Sequence, residues 1–133
     1  MAQFANAARI FFTSAEHRKR WLAAMLQIGK VYSGRLDAEY GAALYILTAD
    51  EYTWMQAQAY VDCDGIDFEA LLRAVHFSGG YGALIRLAGN LFNDRTACSP
   101  VDLATRLDDT NFTVALTALQ VRRSSLHVDD LKA

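Results

Sequence analysis

The residues best suited to holding a ligand are grouped at His76-Phe77-Ser78-Gly79-Gly80-Tyr81. Ser78 followed by Gly79 and Gly80 reads as a helix start with free backbone N–H groups, and such an end attracts a carboxylate or phosphate. His76 and Tyr81 would add side-chain donors. The turn holds no lysine or arginine, and it does not follow the phosphate-loop pattern GxxxxGKS/T. The same glycines also suit two helices in close approach, with Ser78 as an ordinary cap.

Other groupings point to chemistry less well. Asp62, Asp64 and Asp67 surround Gly65 as at the start of a calcium loop, but the terminal glutamate and the glycine at the sixth position are missing. Asp67 is better read as a helix cap. His17, His76 and His127 are scattered, and with Cys63 and Cys98 they match no metal-ligand spacing. Ser78 lies in no GxSxG elbow. The carboxylate pairs Asp50-Glu51 and Asp108-Asp109 stand at helix starts, where the dipole alone explains them. No metal or cofactor is implied, and the reading leans against an enzyme. The run Arg18-Lys19-Arg20 before Trp21 is suited to nucleic acid or an acidic partner, but the net charge of −2 weighs against nucleic acid.

The elements that would position these residues are helices. About half of the 133 residues are apolar, and there is a single proline, Pro100. Caps punctuate apolar runs of helical spacing. Thr13 with Glu16 opens the first helix, in which Trp21, Leu22, Met25, Leu26 and Ile28 form the inner stripe and His17 lies in solvent. A second helix, from Asp37 to Leu47, is apolar nearly all round and therefore central. Thr48 with Glu51 opens a third, reaching about Tyr60, and Asp67 caps a short fourth to about Val75. The fifth runs from Ser78 to about Asn93 with apolar residues on two faces. Ser99-Pro100-Val101-Asp102 starts a sixth, with serine as cap and proline in the first turn. Asp108 caps a seventh, whose inner face is Phe112, Ala115, Leu116 and Leu119. No internal repeat is apparent.

These features predict an all-α fold, a compact orthogonal bundle of six or seven short helices. It forms one domain over residues 1–133, with its core in 10–123 and a frayed tail at 124–133. The longest apolar run, Ala42 to Leu47, is far short of the roughly 20 residues of a membrane helix. Arg9 breaks the N-terminal apolar stretch, so no signal peptide is read there. Two cysteines are too few for a disulfide scaffold, so the expected location is cytoplasmic. Charge is segregated. Residues 1–35 carry six basic and one acidic side chain, whereas residues 36–70 carry eight acidic ones and no lysine or arginine.

The words Ala42-Ala43-Leu44-Tyr45-Ile46-Leu47, Ser78-Gly79-Gly80 and Leu87-Ala88-x-x-Leu91-Phe92-Asn93 give the chain a further likeness. Over roughly residues 10–123 it resembles a family of small, uncharacterised helical proteins of bacteria and their mobile elements. The resemblance implies a helical, bacterial, cytosolic protein and brings no functional residue with it. The favoured function is a non-enzymatic domain that binds itself, as a homo-oligomer such as a homodimer, or another protein. The first rival is small-molecule or anion binding at His76, Ser78, Gly79, Gly80 and Tyr81. The second is nucleic-acid association through Arg18–Arg20.

Overall fold

The computed structural model describes residues 10–131. Among them are seven α-helices, as the apolar spacing predicts: α1 (Ala15–Ile28), α2 (Ala38–Leu47), α3 (Glu51–Ala57), α4 (Phe68–Ala74), α5 (Gly79–Asn93), α6 (Pro100–Arg106) and α7 (Asp109–Arg123). Three of the expected caps form: the side chains of Asp67, Ser99 and Asp108 each accept the backbone N–H three residues on, and Asp37 does the same for α2. Two caps are displaced. Ser14, rather than Thr13, caps α1. Asp50, rather than Thr48, caps α3, accepting from Thr53 N at 3.0 Å. Thr48 instead closes α2, its hydroxyl donating to Leu44 O.

The helix α2 is the centre of the molecule. Tyr40 to Leu47 are all buried, and α2 packs mainly against α5 and α7, with α1 alongside. Contact with α7 is close: a Cβ on Gly41 would stand 3.5 Å from the Val121 side chain. The inner face of α7 is consequently built of smaller residues, Val114, Ala115, Thr117, Ala118 and Val121. This corrects the expected face. Of the four residues predicted inside, only Ala115 is buried, and Phe112, Leu116 and Leu119 are exposed. On α1, Trp21, Ala24 and Met25 face the core while Leu26 lies outside.

Two small antiparallel hairpins were not anticipated. β1 (Val31–Tyr32) pairs with β2 (Arg35–Leu36), and β3 (Val61–Asp62) pairs with β4 (Gly65–Ile66). Each hairpin links two helices, α1 to α2 and α3 to α4, so a helix–hairpin–helix unit occurs twice. The sequence carries the repeat at an offset of 30: Val31-x4-Leu36-Asp37-x-Glu39 and Val61-x4-Ile66-Asp67-x-Glu69. Tyr40 ties α2 to the second hairpin, its hydroxyl donating to Asp62 O at 2.8 Å.

The segment after α7, expected to fray, is docked as far as residue 131. Leu36 N–H donates to Leu126 O and Val128 N–H to Gly34 O. A 3-10 turn, Val128–Leu131, follows, and Arg18 donates to Leu131 O. Leu126 and Leu131 are buried. Because Leu126 is core, Leu126→Ala is expected to cost about 2–4 kcal/mol, read as a lower denaturant midpoint. A loss within about 0.5 kcal/mol, the usual range for a surface change, would mean that the segment is not part of the fold.

Candidate functional site

The predicted site residues stand at the start of α5. Ser78 occupies the N-cap position but makes no side-chain capping bond. His76, Ser78, Gly79 and Tyr81 are exposed, and Gly80 is half-buried. The glycines have a packing role. A Cβ on Gly80 would lie 3.1 Å from Arg106 O, and one on Gly79 would lie 3.3 Å from Arg106 Nη1, so the end of α6 rests against this turn. The fold thus supplies the cation that the turn itself lacks. Arg106 also pairs with Asp102 at 3.4 Å, across one turn of α6. Its approach to Gly79 is long-range, so no local pattern signals it.

Tyr81 points elsewhere. It borders a cleft of about 260 Å³ among the starts of α3, α5 and α7. The cleft has an apolar floor of Ile46, Leu84 and Ile85 and polar walls that include Asp50, Asp108 and Asn111. His76, Ser78, Gly79 and Gly80 are not part of it, so the five predicted residues divide between an open helix start and this cleft. Its two carboxylates disfavour an anion there. The cap roles of Asp50 and Asp108 were legible or nearly so, but their convergence was not.

The remaining candidates resolve into structure. Asp62 accepts from Asp64 N within the second hairpin, and Asp67 caps α4 through Ala70 N. Among the described residues no group of three or more His, Cys, Asp or Glu side chains comes together in a way that could hold a metal. Cys63 is exposed and Cys98 half-buried, both as free thiols. In the basic run, Arg18 donates to Leu131 O, and Arg20 Nε donates to Thr48 O at 3.0 Å. Two of its three cations are therefore engaged with backbone carbonyls. No helix is long and apolar enough to cross a membrane among the described residues.

Residues 7–122 match a family defined by sequence alone. The chain belongs to the family of unknown function DUF6075. The match covers nearly the span over which the sequence words suggested an uncharacterised helical family. No curated protein and no solved structure matches the chain. Membership of DUF6075 assigns no activity.

The side chain with the most altered chemistry is one that sequence reasoning placed in solvent. His17 is fully buried, with its ring 4.7 Å from that of Tyr45 and 5.2 Å from that of Phe12. Its Nδ1 accepts from Thr13 N–H at 3.1 Å, so Nε2 carries the hydrogen and donates to Tyr45 O at 2.8 Å. Burial lowers the pKa of His17 to about 4, against the pull of the Tyr45 carbonyl and with the help of Arg20. Burial likewise raises the Tyr45 phenol, which donates to Phe11 O. These bonds satisfy both ring nitrogens and leave no free base.

His17 should govern acid stability. The unfolded ring binds a proton near pH 6.5 and the folded one only near 4, so the unfolded state gains protons first as pH falls. The stability contributed by the neutral ring is complete above pH 6.5 and declines through the window down to about 4, by up to about 3 kcal/mol. Denaturant unfolding at pH 7 and pH 5 should show this slope, and His17→Gln, which has no titrating ring, should lack it. Equal slopes in the two proteins would contradict the assignment.

Proposed function

We propose that the domain works by association, through the outer ridge of α7. The observation that carries this reading is the set of exposed apolar residues on that helix. Phe112, Leu116 and Leu119 are 38%, 52% and 44% exposed, on a helix whose opposite face is core. With Asp109 before them and Arg123 after them, they follow the alternating three-and-four spacing of a two-helix seam. A contiguous exposed apolar patch is a feature of interaction surfaces.

A second copy is the partner of choice because the ridge complements itself. Asp109 lies at its start and Arg123 at its end, both exposed, and neither has an ion-pair partner among the described residues. An antiparallel pair of α7 helices about a two-fold axis near Leu116 would set each Asp109 beside the other copy's Arg123. It would also set Phe112 beside Leu119, as an isologous interface requires. The same reading takes the protein to be bacterial and cytosolic, as the resemblance implies.

A smaller claim attaches to the cleft beside Tyr81. Its volume and its apolar floor suit a small neutral or cationic ligand. The anion reading at Ser78–Gly80 is weaker because the neighbouring Arg106 is paired with Asp102, and the nucleic-acid reading at Arg18–Arg20 is weaker because Arg18 and Arg20 hold backbone carbonyls.

One helix per copy is a small interface, so a dissociation constant in the micromolar range is expected. Light scattering after gel filtration at about 100 µM, a concentration set by that range, should show dimer. Leu116→Glu should convert it to monomer. Asp109→Arg and Arg123→Asp should each weaken the dimer by about tenfold, and the double variant should restore it. A wild-type protein that stays monomeric would remove self-association.

A further inference from the structure

The two helix–hairpin–helix units are completed unequally, and the difference marks a second interaction surface. The hairpins share a pairing pattern. Asp37 N–H donates to Lys30 O at 2.9 Å, and Asp67 N–H donates to Tyr60 O at 3.0 Å. Val31 faces Leu36 in the first, and Val61 faces Ile66 in the second. In an antiparallel ladder this alternation turns the N–H of Leu36, and equally that of Ile66, away from its own hairpin.

At the first hairpin that outward edge is filled by the chain itself. Leu36 N–H donates to Leu126 O at 2.9 Å, Val128 N–H donates to Gly34 O at 2.7 Å, and Arg35 bridges antiparallel to His127. Leu126 is 1% exposed, and His127 covers Gly34 so closely that a Cβ there would collide with its ring. Residues 126–128 therefore act as a third strand.

At the second hairpin no described segment of the chain pairs with the edge, and Ile66 itself is 6% exposed. Ile66 N–H has no acceptor among the described residues, and the space beside Gly65 is empty for 4 Å around the position of a Cβ. A groove of about 480 Å³ flanks this edge, lined by Ile66, Phe68 and Leu72 on one side and by Arg95 and Thr96 of the α5–α6 loop on the other. An unpaired strand edge beside a groove with apolar side chains on one wall and polar ones around it is an arrangement that accepts an added strand.

We propose that β4 takes an extended, basic segment of a partner protein as a third antiparallel strand, with one apolar side chain in the groove, in the way that β2 takes Leu126–Val128. The charge around the edge decides the partner's chemistry. Asp62, Asp64, Asp67 and Glu69 stand in the hairpin and the first turn of α4. The nearby cations include Arg95, Arg73, which is paired with Glu69 at 3.5 Å, and Lys30, which lies over the ring of Tyr40, the residue bonded to Asp62 O. A second copy's own tail is a poor occupant, because Asp129 and Asp130 follow its strand and would meet these carboxylates.

The test titrates the ¹⁵N-labelled full-length protein with the synthetic peptide acetyl-Lys-Leu-Lys-Val-Lys-amide and with its aspartate counterpart, acetyl-Asp-Leu-Asp-Val-Asp-amide. The basic peptide should shift Gly65, Ile66, Leu72 and Thr96 and slow exchange of the Ile66 amide by about tenfold or more. Asp64→Lys and Glu69→Lys, both on exposed positions, should each weaken binding by roughly tenfold. No protection of Ile66 at millimolar peptide, equal binding of the acidic peptide, or shifts confined to the α7 ridge would each overturn the proposal.

Discussion

The structure depends on ending a helix inside the core. α2 is buried from Tyr40 to Leu47, and a helix leaves its last carbonyls without partners of its own. In water solvent would supply donors, but in a core the protein must supply them. α1 does so with one face. His17 Nε2 donates to Tyr45 O and Arg20 Nε to Thr48 O, while Trp21 Nε1 adds a second donor to Gly41 O in the interior of the helix. Thr48 and Ala49 add backbone and hydroxyl donors to Leu44 O and Ile46 O. The three α1 side chains stand at positions 17, 20 and 21, which share a helix face. Much of what looks like chemistry in α1 is therefore the satisfaction of a buried helix end.

This constraint also sorts the remaining charges. Arg122, like Arg18 and Arg20, donates to a carbonyl, that of Leu91, and pairs with Glu39 at 3.6 Å, so it fastens α7 to α5 and α2. Asp37, Asp50, Asp67 and Asp108 are engaged at helix starts. The surfaces left over include the apolar ridge of α7, the cleft beside Tyr81, the unpaired edge of β4 and a groove lined by Ile28, Trp54 and Val61. Two of these, the ridge and the β4 edge, suit another polypeptide. Association is the function proposed from them.

What was legible in the sequence was local. A cap and the apolar spacing after it lie within one or two turns, so Asp37, Asp67, Ser99-Pro100 and Asp108 located their helices. The misreadings were long-range. Thr13 looked like a cap, but its hydroxyl donates to Ala49 O, 36 residues away. His17 looked solvated because its neighbours are Glu16 and Arg18, whereas its partners come from residues 13 and 45. The face of α7 was misassigned because large apolar residues were taken to be core. Close approach to α2 selects Val114, Ala118 and Val121 instead and turns Leu116 outward. The hairpins have strands of two residues, too short for an alternating pattern, and their repeat rests on a few matched positions.

The capping of α2 by α1 is most directly tested at the His17 ring. Nitrogen-15 NMR of the imidazole across pH reports both its tautomer and its titration. The account predicts a neutral ring protonated at Nε2 that takes up its second proton only near pH 4. A ring that titrates near the ordinary pH 6.5, or that carries its neutral hydrogen on Nδ1, would contradict it.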